Sequence, residues 1–247
     1  MKKLPNPIIT AVLFVIIFAF QSRAQITFQL GGGLGYSVAI GDYGGSIVDF
    51  YNGDKYGMES GFNYHAKVRA GLLFLNAFGE IGFTNFSGEG ESTPGQGNIN
   101  VSNKIFSMKV GPEFPINIPL SPITPYLQGF IAVNTISGEV EFKGVANVPS
   151  GNYDIASATR VGIGAGIGAM FSLGVLKLDV NIQYHLINLT GNEYKIENLS
   201  SHERLDNYTS LNDSKDPLYS AGSNAHFIDD DRGIGSMEFK VSVMFGL

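Results

Sequence analysis

Two of the four histidines, His65 and His185, sit on the strand-like part of a chain that also offers serine and aspartate. These are the residue types of a hydrolytic relay, in which an imidazole takes a proton from a hydroxyl while a third group orients the ring. Such a relay needs its members in contact, and no motif in the sequence ties these together. Asp229, Asp230 and Asp231 supply the hard oxygens a divalent cation takes, but the stretch lacks the Asp-x-Asp-x-Asp-Gly spacing of a calcium loop, so a solvated loop edge is expected. The Asn-x-Ser/Thr matches at Asn188, Asn198, Asn207 and Asn212 fall in an Asn/Ser-rich segment where chance produces them. Gly162, Gly164, Gly166 and Gly168 recur every second residue and never complete a dinucleotide fingerprint. The chain has no cysteine, which excludes thiol catalysis, disulfides and a lipid-bearing N-terminal cysteine. No pattern points to a cofactor or a metal.

The remaining charges follow one rule. His65, Lys67, Arg69, Glu80, Lys109, Arg160, Lys177, Asp179, His185, Glu238 and Lys240 each lie on the polar side of a segment whose other side is apolar. The elements that must position them are therefore strands of period two. Ile26–Ile40 sets Phe28, Leu30, Leu34 and Tyr36 against Gly31, Gly33 and Gly35. Gly61–Leu73 sets Phe62, Tyr64 and Val68 against His65, Lys67 and Arg69. Ala77–Phe86 and Lys104–Pro112 oppose Ile81 and Phe83 to Glu80, and Met108 and Val110 to Lys109. Tyr126–Asn134 and Ala158–Leu173 continue the alternation, the latter with Val161, Ile163 and Ile167 against Arg160 and the glycines. Leu176–Leu186 and Ser236–Leu247 are the clearest, with Val180 and Ile182 against Asp179 and His185, and Val241 and Val243 against Glu238 and Lys240. The spacing predicts eight strands and an all-β chain.

The connections alternate in length, as in a membrane barrel with short inner turns and long outer loops. Long links are expected at Gly41–Ser60, Ser87–Asn103, Ile136–Ser157 and Asn188–Gly233, short ones at Leu73–Asn76 and Gly174, and a moderate, proline-rich one at Phe114–Thr124. Ahead of the strands, Lys2 and Lys3 precede an apolar run and Ser22-Arg23-Ala24 offers a cleavage site. Residues 1–24 read as a signal peptide and 25–247 as one exported barrel domain. The formal charge is −6, with the acids concentrated in the long links and a basic surplus left on the strands. Clustered Lys and Arg of the kind that bind nucleic acid are absent.

A soluble barrel alternates too, with its apolar face inward. Glycine argues for the opposite orientation, because rows of glycine on a solvated strand face have no packing benefit. Inside a narrow barrel they make room for Tyr126, Phe130, Lys67 and Arg69 to cross the lumen, whereas the bulky face would overfill it. The lumen charges then read as a structural network in which Glu80, Asp179 and Glu238 each need a base beside them.

On the Gly-rich strand QLGGGLGYS at Gln29–Ser37, the segment ITPYLQGFIAVN at Ile123–Asn134, VGIGAGIGAMF at Val161–Phe171 and the C-terminal strand, the chain resembles the small outer-membrane β-barrel family of the OmpA/OmpX type. The resemblance implies an eight-stranded antiparallel up-and-down barrel in the outer membrane of a Gram-negative cell, and a monomer among lipid and lipopolysaccharide. It also implies recognition by the barrel insertion machinery through the last strand, where Leu247 stands in place of the usual terminal aromatic, with Phe245 two residues earlier. The expected role is non-enzymatic, with acidic outer loops engaging the surroundings at the cell surface. A passive, anion-leaning channel is the alternative, and a lipid-modifying hydrolase built on the histidines a second.

Overall fold

The computed structural model describes residues 27–72, 74–190, 204–212 and 232–246. The expected signal peptide, Asn198, Asp229–Asp231 and Leu247 lie outside the described residues. Eight strands close in chain order into one barrel: β1 Thr27–Ile40, β2 Ser60–Leu72, β3 Leu75–Thr93, β4 Gln96–Pro115, β5 Ile123–Lys143, β6 Gly151–Leu173, β7 Leu176–Leu186 and β8 Gly235–Gly246. Every neighbour is antiparallel, and β1 completes the ring on β8 with Gln29 opposite Gly246 and Ile40 opposite Gly235. Closure leaves no unpaired edge around the ring, the condition for strands to cross a bilayer.

The apolar face points outward all the way around. Leu34, Phe62, Ile131 and Ile167 are each more than half exposed, and their counterparts on other strands are exposed as well. A continuous apolar band of this kind exceeds any patch a water-soluble monomer carries, so its solvent is lipid. Tyr64 stacks on Phe83 at 5.3 Å, Phe83 meets Phe106 at 4.8 Å, and Tyr36 meets Phe62 at 5.9 Å between ring centroids. These rings form an aromatic girdle on the side of the long connections. At the other end the turns are tight: Leu173 pairs with Leu176 across Gly174, whose φ of 74° is open to glycine at no cost.

Two expected boundaries need correction. Ser87–Asn103 and Ile136–Ser157 are not loops: β3 and β4 run on to a two-residue turn at Pro94-Gly95, and β5 and β6 continue to Lys143 and Gly151. The physical reason is that the alternation persists while its chemistry inverts. Inward positions on β3 read Phe78, Glu80, Thr84 and then Phe86, while outward ones read Ile81, Phe83 and then Asn85, Ser87, Glu89, Glu91. β4 and β5 do the same. Lys109 and Ser107 give way inwardly to Ile105, Val101 and Ile99, and Asn134 gives way to Ile136, Val140 and Phe142. Once the outside meets water rather than lipid, the outward face turns polar and the inner face takes up the core. A search for lipid-facing apolar residues stops at that level.

The inner face of this extension is an apolar core outside the membrane. Two short helices cover it, α1 (Ile47–Asn52) and α2 (Arg204–Tyr208). Ser46 and Asp49 cap α1 reciprocally, Asp49 N donating to Ser46 Oγ at 3.2 Å and Ser46 N to Asp49 Oδ2 at 2.9 Å. The backbone bond from Ser46 holds the Asp49 carboxyl below its ordinary pKa. Gly53 closes the helix at φ 85°, and α1 buries Ile47 and Phe50. Tyr43 is fully buried against Phe86 and Tyr56, and burial raises its phenol pKa. A bulge between Ile136 and Gly138 slips the β6 register, so that Ile155 turns into this core while Ala156 N reaches Thr209 O at 2.7 Å.

Candidate functional site

Within the membrane band the lumen is crossed by two ion clusters. In the inner one, β2 supplies Lys67 and Arg69, β4 Glu113 and β7 Asp179. Lys67 Nζ lies 2.9 Å from Asp179 and 3.3 Å from Glu113, and Arg69 approaches Glu113 at 2.6 Å and Asp179 at 2.9 Å. Tyr126 donates to the other Asp179 oxygen, Asn76 donates to Glu113, and Gln29 accepts from Arg69. In the second cluster, Lys240 bridges Glu80 at 2.5 Å and Glu238 at 2.7 Å, while Lys109 reaches Glu238 at 2.7 Å and Glu80 at 3.7 Å. His185 Nδ1 stands 3.0 Å from Glu238 and Asn134 lies on its Nε2, so the ring donates to the carboxylate and accepts from the amide. Phe78 and Phe130 meet edge to face between the clusters, with Lys67 over the first ring at 5.0 Å and Lys109 over the second at 4.9 Å.

Each cluster holds two bases against two carboxylates, all at most 5% exposed. The charges balance within these two layers, so the basic surplus expected on the strands rests outside them, on Lys104, Arg160 and Lys177. Glu113, absent from the sequence reading, supplies the balancing charge. It follows Pro112, the expected end of the strand, yet it shares the odd numbering of Ser107 and Lys109, a signal the alternation already contained. Lys177 stands apart, half-buried near the short turns, with no ion pair among the described residues. Arg160 is buried, its guanidinium donating to Thr159 O at 3.0 Å.

His65 belongs to neither cluster. Its Nδ1 is 3.0 Å from Asn63 Oδ1, its Nε2 is 2.7 Å from Ser242 Oγ, and Asn63 in turn donates to Thr84 at 3.2 Å. This is the hydroxyl–imidazole–orienter order of a hydrolytic relay, brought together from β2 and β8. Ser242 is 1% exposed and enclosed within the barrel wall, so a substrate ester has no approach to its oxygen. The side chains form one hydrogen-bonded row inside the barrel, from Ser242 through His65 and Asn63 to Thr84. His65 and His185 are not brought into one site.

Glycines set where the large side chains cross. A Cβ at Gly164 would run into the Phe130 ring, and one at Gly168 into Tyr126, so these two positions on β6 are the space those rings occupy. Above the clusters, the apolar core under α1 and α2 closes the lumen a second time. Outside, the extension presents a polar face on which Glu89 pairs with Asn100, Asn100 with Glu141, and Glu139 sits directly opposite Asp154. Like charges facing across strands are unfavourable. Lys104, 3.3 Å from Glu139, offsets part of it.

No protein-family model and no curated protein sequence matches this chain. Among solved structures, it is similar to neisserial surface protein A at 13% identity, covering 88% of this chain and 96% of that one with a TM-score of 0.49. It is similar to a major outer membrane protein from Thermus thermophilus at 14% identity, covering 90% and 99% with a TM-score of 0.49. The N-terminal barrel domain of Pseudomonas aeruginosa OprF gives 9% identity, coverage of 91% and 100%, and a TM-score of 0.40.

Proposed function

We propose that this chain is a non-enzymatic outer-membrane barrel whose work is done on its outer surface, with the lumen serving as a structural plug. The observation that carries this reading is closure at two separate levels, by balanced ion layers within the membrane and by an apolar core above it. A passive channel would need a continuous wet path past both. With charges in the two layers matched, the basis for anion selection also falls away.

The outward face of β3–β5, bearing Glu89, Glu91, Glu139 and Glu141, is the surface offered to partners, and its charge favours cationic ones over short range. Lipid surrounds the band as a monomer's solvent, lipopolysaccharide meets the aromatic girdle, and β8 is the strand presented to the insertion machinery. Binding of the detergent-purified protein to polylysine-coated and heparin-coated surfaces tests the surface role. Retention is expected on the cationic surface only, fading as salt rises and lost when the four glutamates are changed together to Gln. Equal retention on both surfaces, or retention unaffected by salt and by the Gln changes, would contradict it.

A further inference from the structure

The three short connections at the inner end of the barrel all expose large apolar side chains. Phe74 lies on the β2–β3 turn at 76% exposure, Val175 on the β6–β7 turn at 83%, and Leu120, between β4 and β5, is fully exposed. No charged residue occurs at 74–76, 116–122 or 174–175. Turns that stand in water are built mainly from glycine, proline, asparagine, aspartate and serine. Leu120 departs furthest from that rule. Ser121 N donates to Ile118 O at 3.2 Å, closing a turn with Pro119 second and Leu120 third, and Leu120 takes φ 61° there. Glycine or asparagine ordinarily fills that position, because a Cβ is strained in the left-handed region. A leucine at this tip carries backbone strain and buries nothing against the protein to offset it.

The segment leading to the tip continues the lipid face. On β4 the outward positions include Met108, Val110 and Phe114, and the same parity runs on through Ile116 and Ile118, each about half exposed. The depth agrees. From Phe83 in the aromatic girdle to Phe74 is nine residues along β3, and from Phe106 to Ile116 is ten. Nine or ten residues of strand tilted as in membrane barrels climb about 21–28 Å, against an apolar band about 25 Å tall. Lipid measured down from the girdle therefore reaches these turns. We propose that Phe74, Leu120 and Val175, with Ile116 and Ile118, form an apolar rim seated in the inner-leaflet boundary of the bilayer, which holds the barrel at that depth by acyl-chain contact and independently of headgroup charge. The rim has no charge of its own with which to select an anionic lipid. It rests on the membrane reading of the barrel and not on the acidic outer face.

The chain has no tryptophan, so one introduced at a time reports its own depth. Phe74→Trp, Leu120→Trp and Val175→Trp, refolded into phosphatidylcholine vesicles, are read by quenching with brominated phosphatidylcholine and with aqueous acrylamide. Ile131→Trp is the reference for lipid and Glu89→Trp the reference for water, and heat-modifiable gel mobility confirms that each variant forms its barrel. Bromine near the headgroup end of the acyl chain should quench the rim tryptophans more than bromine near the methyl end. Acrylamide should quench them at least threefold less than Glu89→Trp, and adding phosphatidylglycerol should change neither result. Phe74→Trp exchanges ring for ring and carries the decision if the Leu120 or Val175 variant fails to fold. Acrylamide quenching equal to that of Glu89→Trp, with Ile131→Trp still quenched by bromine, would overturn the proposal and leave a rim standing in water, open to a periplasmic protein. Bromine quenching of the rim only when phosphatidylglycerol is present would overturn it in favour of a charge-selective contact. Loss of bromine quenching at Ile131→Trp as well would instead remove the membrane reading on which the rim depends.

Discussion

Glu113 is where the lumen account is most exposed to test. It touches Lys67 and Arg69 together, so Glu113→Gln leaves two buried cations facing Asp179 alone. Removing one partner of a buried pair costs about 3–5 kcal/mol, and urea unfolding from lipid vesicles should show a loss of that order. A loss below about 1 kcal/mol would mean that water, not protein, solvates the cluster. Gly164 offers a second test, because its missing side chain is where the Phe130 ring lies. Gly164→Val should destabilise by about 1–3 kcal/mol through overpacking, and Phe130→Ala in the same chain should recover part of it. Additive losses would show that the two do not compete for space. Among residues, the sequence made the lumen charges legible because a period of two sorts side chains by face. It could not show which charges meet. That depends on the stagger between strands distant in the chain, such as β2 with β7, and one slipped strand would re-pair them all.

At the scale of elements, the inversion of polarity along β3, β4 and β5 marks the level at which lipid ends. Phe83 and Glu89 point the same way on one strand, yet their surroundings differ. Phe83→Arg should cost up to about 2–4 kcal/mol, the value at mid-membrane, with less expected toward the interface. Glu89→Arg should be close to neutral by the same unfolding measurement. Similar costs at both positions would place the boundary elsewhere. The strand cores and short turns could be read from the sequence, and β7 matches its expected bounds. The extensions are hidden in the sequence because a lipid-facing strand shows itself by apolar residues on its outward face, and beyond Phe83 that face turns to Asn85, Ser87 and Glu89. The inward run of Phe86, Val101, Ile99, Val140 and Phe142 was present all along, on the parity assigned to the lumen. Helix α1 was also discoverable, since Ser46 and Asp49 are spaced as a reciprocal cap ahead of Ile47 and Phe50.

For the whole molecule, two ion layers with an aromatic pair between them and an apolar cap above lie in series along one axis. A barrel of this strand number has an interior its own side chains fill. The outer surface is then where the chain meets anything besides lipid. The most direct measurement is single-channel recording of the purified, refolded protein in planar bilayers at high salt. A silent membrane is expected, with no reproducible steps beyond brief flickers. Stable, long-lived conductance steps in the wild-type protein would contradict it, and would show that a continuous water path runs past Arg69, Lys109 and the core beneath α1.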